Sequence, residues 1–457
     1  MTDGCRRRGF LAGITAVSSV AVAGCNGLPW EDESTSTAFP AEEAATILTA
    51  DAPAPDPPAP IDPSPEALES ALERTVDLLA AVPDPLEAEH VPNGEIREEI
   101  DRAREDATDA LTDYTDDGTV AAIDPTDLSA DDRYHAFRAT VDARESAREA
   151  AVAYAAIDDE SIADELRTEH GDVADFEGGL TALEYLGEDT DVGRLRGALV
   201  ATTAESDLER AARRVEHVSI ADATTVLDLG EAAGGLEHAA ATDDVHTHLD
   251  ERYEDSLESP TDLSDVFERV VTDALDYADE LDLPDSYDDS WVDDLVDADL
   301  EDDHLLERLV YDSFWPLYQA RDDLAEAADE DRPGDGLDAA LRLETHRRAF
   351  ERVRERIDDG ELGHPLSAED IRAERESAIE AAEDALESIT GPSPGSELLA
   401  STLEELEWLD DRIDRRIERS PDTNHSLGSE YRDYVSLDAR LSVLSDAVRS
   451  YRGSLLA

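Results

Sequence analysis

The side chains of this sequence that are best suited to metal chemistry are the histidines near position 240. His238, His246 and His248, with Asp243 close by, are residue types that bind zinc. Residues two apart on a helix point about 200° away from each other, so His246 and His248 cannot both face one ion. His238 and His246 share a helix face, but about 12 Å separates them along the axis. The spacing therefore favours solvated histidines over a zinc site.

The string that most resembles a metal-binding loop begins at Asp113 and matches part of a calcium-binding EF-hand. Such a loop needs ligand oxygens at its first, third, fifth and twelfth positions and a glycine at its sixth. The corresponding residues are Asp113, Thr115, Asp117 and Asp124, with Gly118 at the turn. Thr115, Ala121 at the ninth position and Pro125 after the loop depart from the pattern. Because 116 of the 457 residues are acidic, an ordinary Asp-rich turn is the favoured interpretation and a calcium site is the alternative.

Residues 179–186, Gly-Leu-Thr-Ala-Leu-Glu-Tyr-Leu, resemble the core of imelysin-like exported helical proteins. That family carries a Gly-x-His-x-x-Glu motif that supplies metal-type ligands. Gly179 and Glu184 match the motif, whereas Thr181 occupies the histidine position. The resemblance implies helical bundles, and it implies that Glu184 binds metal together with histidines or carboxylates from elsewhere. An ordinary helix start is the favoured alternative.

Aromatic residues are densest around Pro316. Tyr311, Phe314, Trp315 and Tyr318 have a spacing that puts several of them on one helix face. Core packing around a proline kink is the favoured interpretation, and an aromatic groove for a ligand or peptide is the alternative.

Several classes of enzyme are excluded by residue types that the sequence lacks. It contains no lysine, which excludes Walker-type phosphate loops, Schiff-base enzymes and Ser-x-x-Lys hydrolases. It also has no His-Glu-x-x-His pair and no catalytic cysteine pattern. No catalytic residue is assigned, and a role other than catalysis is favoured.

The elements that position these residues are predicted to be helices. From Ser64 onward, long amphipathic segments alternate with short breaks rich in Gly, Pro, Asp or Ser. Ser64 is the expected N-cap and Pro65 the first residue of the first helix, and the second runs from Asn93 to about Tyr114. Further starts are predicted near residues 129, 160, 190, 222, 261, 302, 335, 366, 396 and 428. We expect an all-α fold of about twelve long antiparallel helices in two packed bundles, at residues 65–257 and 258–457.

The charge is extreme. With 116 acidic residues against 38 basic ones, the net charge is −78. At molar salt the Debye length falls to about 3 Å, so such a surface is tolerated there. The composition resembles that of haloarchaeal proteins, in which lysine is also scarce. A polyanion without a basic stripe is not expected to bind nucleic acid.

Residues 1–24 are predicted to be a cleaved signal peptide. Arg7-Arg8 precedes a weakly apolar stretch, in a pattern that resembles the twin-arginine export signal. The apolar run is shorter than the roughly 20 residues that span a membrane. Val-Ala-Gly-Cys at residues 22–25 resembles a lipobox, which implies lipidation of Cys25; a signal peptide with a chance cysteine is the alternative. Cys5 would leave with the signal, so no disulfide is expected.

A spacer and a modification site complete the predicted surface protein. Residues 25–64 are predicted to be an extended, lipid-anchored tether with a short helix near residues 41–50, because seven prolines stand from Pro53 to Pro65. Asn424 lies in the sequon Asn-His-Ser and is a candidate for glycosylation. We therefore expect a lipoprotein on the outer face of the cell membrane that binds or scaffolds, with a surface protein or a small molecule as partner. The alternative is an exported, imelysin-like protein that binds calcium or a transition metal.

Overall fold

Helices form most of the chain that the structure describes. The computed structural model describes residues 38–115, 118–173, 183–281, 295–298, 300 and 303–457. Within them the helices are α1 (Ala41–Ala44), α2 (Pro65–Ala80), α3 (Gly94–Asp109), α4 (Ala130–Ala155), α5 (Ile162–Val173), α6 (Asp191–His217), α7 (Val226–Ser256), α8 (Ser264–Glu280), α9 (His304–Asp329), α10 (Pro333–Asp358), α11 (Ala368–Ser388), α12 (Pro394–Arg419) and α13 (Gly428–Leu456). The strands are β1 (Ala38–Pro40), β2 (Leu186–Gly187), β3 (Thr261–Asp262) and β4 (Asn424–Ser426). The predicted all-α fold is confirmed.

Side-chain caps explain why the helix starts could be predicted. The Ser64 hydroxyl accepts the Ala67 N–H at 3.2 Å, and Pro65 follows as the first helical residue. Ser129 and Thr190 cap α4 and α6 in the same way, and Thr225 forms a capping box with Asp228 at the start of α7. A cap satisfies N–H groups that the first helical turn leaves free, so its signal is local in sequence. The predicted starts of α4 to α13 agree with the structure to within four residues.

The N-terminal bundle is built around the pair α4 and α7, on which α2, α3, α5 and α6 pack. Gly230 and Gly234 allow α7 to approach α4 closely. A Cβ atom at Gly230 would lie 2.8 Å from the Glu149 carbonyl oxygen, and one at Gly234 would lie 3.2 Å from that of Glu145. The glycines inside this helix therefore serve a close helix contact.

The C-terminal bundle contains α8 to α13 around one large apolar core. Phe314 is in this core, with its ring centroid 5.3 Å from that of Phe350. Tyr311, Trp315 and Tyr318 stack in a half-buried row on another face of α9. The aromatic group is thus divided between core packing and a row of stacked rings.

The segment before α2 packs on both bundles: its first part lies against the C-terminal bundle, and Ile61 lies in the core of the N-terminal bundle. β1 pairs with β4 antiparallel, with Phe39 opposite His425. Phe39, Ala44 and Ile47 are buried in the core of that bundle. The prediction of an extended tether at residues 25–64 is therefore wrong for residues 38–48, because these residues form a strand, a helix and a 3₁₀ turn whose apolar side chains are buried in that core. The short helix expected near residues 41–50 is present as α1 and a following 3₁₀ turn.

The two bundles meet at the start of α10. Glu205 of α6 is buried and accepts the backbone N–H groups of Gly334 at 2.9 Å and Asp335 at 2.8 Å. Tyr185 donates its hydroxyl to the same carboxylate at 2.6 Å. Glu205 thus caps a helix of the other bundle, where an anionic group is favoured by the helix dipole. This contact adds to the packing of α6 against α10 within the unit formed by residues 37–457.

Buried carboxylates elsewhere in the described chain are paired with arginine. Arg144 and Arg74 both bind Glu237, and Arg375 binds Asp410 through two nitrogens. A guanidinium can satisfy both carboxylate oxygens at once, which a lysine ammonium cannot do with the same geometry. None of the helices in the described residues combines the length and the apolarity that a membrane-spanning helix needs.

Candidate binding cleft

A cavity of about 470 Å³ lies against α4, α6, α7 and the first half of α12. We call it the histidine cleft. Its polar lining comprises Asp113, His135, Arg138, Asp142, Asp207, His238, His246, Glu397 and Glu404. Pro55 and Pro57 of the segment before α2 close one side. Several elements that are distant in sequence therefore contribute to one site.

Helical periodicity explains how these side chains reach the cleft. His238, Thr242 and His246 are spaced by four residues along α7, which places them on one face. His135, Arg138 and Asp142 are spaced by three and four residues along α4. Because α4 and α7 pack along each other, the two rows lie side by side. The histidine cleft is the groove over this helix pair.

One half of the cleft is organised by Asp207 of α6. Its carboxylate accepts Arg138 Nη2 at 2.9 and 3.1 Å, and His246 Nε2 lies 3.2 Å from Oδ2. Burial tends to raise the pKa of Asp207, but Arg138 and His246 outweigh it and hold that pKa well below its usual range. Asp207 is therefore an anion at neutral pH and fixes both neighbouring side chains.

The other half contains a histidine between two carboxylates. His238 Nδ1 lies 2.8 Å from Glu145 Oε2 and 3.9 Å from Asp142 Oδ1. One ligand atom from each of the three residues lies within 4.8 Å of the other two. Arg214 binds the second oxygen of Glu145 at 3.1 Å, which leaves Oε2 turned towards the histidine. A nitrogen and two carboxylate oxygens at this spacing could hold a divalent cation.

The prediction of solvated histidines is wrong for two of the three near position 240. His238 is 3% exposed and His246 is 5% exposed. His248 is half-buried, accepts the Ser64 backbone N–H at 3.1 Å and meets the Phe137 ring edge-on. The spacing within α7 does not reveal that these rings are buried, because their partners come from α4, α6 and the start of α2. The four-residue spacing of polar residues in α7 was the signal available in the sequence.

The predicted calcium loop is described in part. Asp113 lines the histidine cleft, and Gly118 has φ +70°, as a tight turn at that position requires. Asp124 is exposed, and its carboxylate accepts the Thr126 N–H at 2.9 Å and hydroxyl at 2.6 Å, bonds that lower its pKa. Thr115 has an extended backbone, and Asp117 lies outside the described residues. After the turn the chain forms a 3₁₀ segment rather than an exit helix, so calcium binding stays a prediction.

The remaining predicted site residues do not lie in the histidine cleft. Glu184 lines a separate cavity of about 270 Å³ with Asp250 and Glu254, where burial raises the pKa of Asp250. Asn424 is exposed on β4. The other predictions fall outside the described residues, namely those on Arg7, Arg8, Cys25, Gly179 and Thr181. The structure therefore leaves export, lipidation and the imelysin-like motif as predictions.

The histidine cleft adjoins another cavity, of about 390 Å³. The two share Arg138, Asp207, Arg210 and Glu397 as lining residues. The second cavity extends to Asp335 at the contact between the bundles. Burial raises the pKa of Glu397, and neighbouring carboxylates add to the effect. The Arg138–Asp207 ion pair thus lines both the histidine cleft and the cavity that reaches the start of α10.

Comparison with known families divides the chain into two parts. Residues 66–259 match the model of a domain of unknown function (DUF8262), and residues 264–453 match that of a second domain of unknown function (DUF8264). The four residues between the two matches lie between α7 and α8. No curated protein and no solved structure matches the chain.

Proposed function

We propose that this chain is a cell-surface lipoprotein that acts by binding, with the histidine cleft as its ligand site. The convergence of His135, His238 and His246 on one cavity, with carboxylates around them, carries the proposal. Polar groups gathered in a concave site orient a ligand, and the bundles that hold them are built from long capped helices. Export and lipidation at Cys25 would place this site outside the cell.

A variant that fills the cleft tests the binding role. Ala139 is a half-buried lining residue, so Ala139→Trp places an indole in the cleft without removing a polar group. Ala155→Trp is the control, because Ala155 is exposed at the end of α4. Native mass spectrometry of protein isolated from its own cells in high salt should show a bound species. We expect Ala139→Trp to lose it and Ala155→Trp to retain it; an unbound wild type, or equal retention by both variants, contradicts the proposal.

Export and anchoring through Cys25 are tested by a separate experiment. Cys25→Ser removes the thiol that the lipid would modify. We expect the variant to appear in the medium or to remain unprocessed, whereas the wild type fractionates with membranes and is cleaved by protease added to intact cells. Membrane retention of Cys25→Ser at the wild-type level would refute the anchor while leaving the binding role intact.

A divalent transition metal is the second candidate for the ligand, and the group formed by Asp142, Glu145 and His238 favours it. Imidazole and carboxylate ligands suit Zn²⁺, Mn²⁺ and Fe²⁺. An acidic surface attracts cations without specificity, but molar salt screens that attraction, whereas a partly buried site keeps its affinity. Glu184 stays a predicted metal ligand, in the separate cavity that it lines.

Metal analysis in high salt distinguishes this candidate. Protein stripped with a chelator and then loaded with Zn²⁺, Mn²⁺ or Fe²⁺ should retain about one ion per chain. We expect His238→Ala to lose that ion and His217→Ala to keep it, because His217 is exposed at the end of α6. If the wild type holds no stoichiometric ion, or if His238→Ala holds it equally well, the metal assignment fails.

A further inference from the structure

Another cavity, separate from those described above, lies entirely within the C-terminal bundle. Its volume is about 550 Å³, and it is enclosed by α9, α10, α12 and α13. It shares no lining residue with the histidine cleft. Its size is in the range of sites for small organic ligands. We call it the serine cavity, after two residues that face it.

Ser313 and Ser436 line this cavity with hydroxyl groups that have no hydrogen-bond partner among the described residues. Ser313 is only 8% exposed. Buried hydroxyls in the same bundle behave differently, since Thr345 donates to the Leu341 carbonyl at 2.8 Å and Thr402 to the Leu398 carbonyl at 2.7 Å. An unsatisfied buried hydroxyl destabilises the folded state, and proteins rarely retain one without a reason. Two on facing helices indicate a ligand that accepts or donates hydrogen bonds.

Pro316 adds to the polarity of the α9 wall. Proline has no N–H, so the carbonyl of Asp312 loses its partner within the helix. Asp312, Ser313 and Pro316 all line the serine cavity, whereas the stacked row of Tyr311, Trp315 and Tyr318 lies on another face of α9. The interruption in the helix therefore faces the cavity rather than the aromatic row.

His346 of α10 faces the same cavity. Burial lowers the pKa of His346 to about 3, with a smaller contribution from Arg440 and Arg342. The ring is therefore neutral at physiological pH and offers one donor and one acceptor. Neither of its nitrogens has a hydrogen-bond partner in the described part of the chain. Like the two serines, it can bind a neutral polar group.

The charged residues around the serine cavity are already paired. Glu405 binds Arg440, Asp433 binds Arg412, and Asp312 accepts Arg432 Nε at 3.2 Å. A paired charge offers little affinity for a further ion, because its partner already neutralises it. The groups left for a ligand are the two serine hydroxyls and an imidazole, because Arg412 Nε already lies 3.5 Å from the Glu430 carboxylate. This set matches a neutral ligand with several hydroxyl or carbonyl groups.

Trp408 lies at the edge of the serine cavity and is 55% exposed. The Arg412 guanidinium lies 4.7 Å from its ring centroid. Between the indole and the polar groups, the lining is aliphatic, with Ala349, Val353 and Leu437. A flat aromatic ring, aliphatic contacts and unpaired hydroxyl-type groups suit a molecule with C–H faces and hydroxyl edges. We propose that the serine cavity binds a neutral polyhydroxylated ring, a mono- or disaccharide, with Trp408 contacting its C–H face.

The test is calorimetric titration of the full-length protein in high salt with neutral sugars: glucose, galactose, mannose, maltose and lactose. Indole serves as the apolar counter-probe. We expect at least one sugar to bind and to change tryptophan fluorescence. Ser313→Ala and Ser436→Ala should each weaken that binding by about three- to tenfold, the usual value of one neutral hydrogen bond. Ser401→Ala is the control, since Ser401 is exposed and already donates to the Leu398 carbonyl.

The outcomes separate the proposal from a purely structural role. Neither serine hydroxyl has a hydrogen-bond partner among the residues that the structure describes, so we expect both Ser→Ala variants to keep their helical circular dichroism and to melt no lower than the wild type. Trp408→Ala, at an exposed position, provides a second variant that should also weaken the binding. Failure of all five sugars to bind the wild type, binding of indole alone, or undiminished sugar binding by the serine and tryptophan variants would overturn the proposal.

Discussion

The stability of the protein should fall as pH rises through the acid-to-neutral range, in part because of Asp335 at the start of α10. Burial raises the pKa of Asp335 to about 7, and the nearby Glu205 adds to the rise. Arg332 binds Asp335 and opposes the effect, but it also binds Glu209 at 2.9 Å and Glu330 at 2.8 Å. One cation shared by three carboxylates cannot neutralise each of them. Burial raises the pKa of Glu205 as well, in the same direction.

The direction of this pH dependence follows from proton linkage. A carboxyl whose folded-state pKa exceeds its unfolded value of 3.8 binds more protons when folded. Its contribution to the stability of the folded state is fully present below about pH 4 and is lost as pH rises to about 7. A shift of about three units corresponds to about 4 kcal/mol at most. Asp335 is partly exposed and molar salt screens it further, so we expect about 2 kcal/mol.

The assay is calorimetric melting of the wild type and Asp335→Asn in high salt between pH 4 and pH 8. Asparagine mimics the protonated acid, so the variant should lose less stability across this range. Unfolding entropy is about 2 cal/mol/K per residue, so for the unit at residues 37–457 the difference is about 2 °C in Tm. Asp329→Asn, at an exposed position in α9, is the control. Parallel Tm profiles for the wild type and Asp335→Asn would refute the reasoning.

Three further predictions concern packing and charge. Gly334→Ala would place a Cβ atom 2.7 Å from the Ala201 carbonyl oxygen, so we expect thermal melts to show a free energy of unfolding lower by about 2–3 kcal/mol. Gly363→Ala, with no neighbour within 4 Å, should change that free energy little. Arg375→Lys would replace the two-nitrogen contact with Asp410 by a single ammonium and should lower the stability of the folded state by about 2 kcal/mol. Arg449→Lys on the surface should leave the stability unchanged, and equal melting of the two variants would contradict this prediction. Dialysis into low salt should abolish the helical circular-dichroism signal because the net charge of −78 is then unscreened, and a retained signal would argue against the charge interpretation.

The helices were predictable because their signals are short in range. Ser64, Ser129 and Thr190 cap helices through bonds to residues two or three positions away, so sequence alone locates those starts. The second helix was predicted to run to about Tyr114 but ends at Asp109, where a 3₁₀ turn at Thr112–Tyr114 follows. The apolar stripe continues through this turn, and periodicity alone does not separate the two.

The segment before α2 shows where composition misleads. Its prolines favour an extended chain, and residues 49–64 contain no helix or strand. Yet Phe39, Ala44 and Ile47 are buried in a core formed by helices that begin more than 200 residues later. No local pattern in the segment identifies that groove. Burial here depends on a surface that exists only after the C-terminal bundle has formed.

The sequence by itself determined the all-α class, the helix starts, the absence of lysine chemistry and the extreme charge, because each depends on composition or on contacts a few residues apart. Only the tertiary structure brought His238 to Glu145, Asp207 to Arg138 and His246, and Ser313 and Ser436 to one cavity. Each of these groupings joins different helices, and their alignment depends on how the helices pack. Close approaches such as that of Gly230 to Glu149 set this packing, and they become visible only when the whole fold is in place.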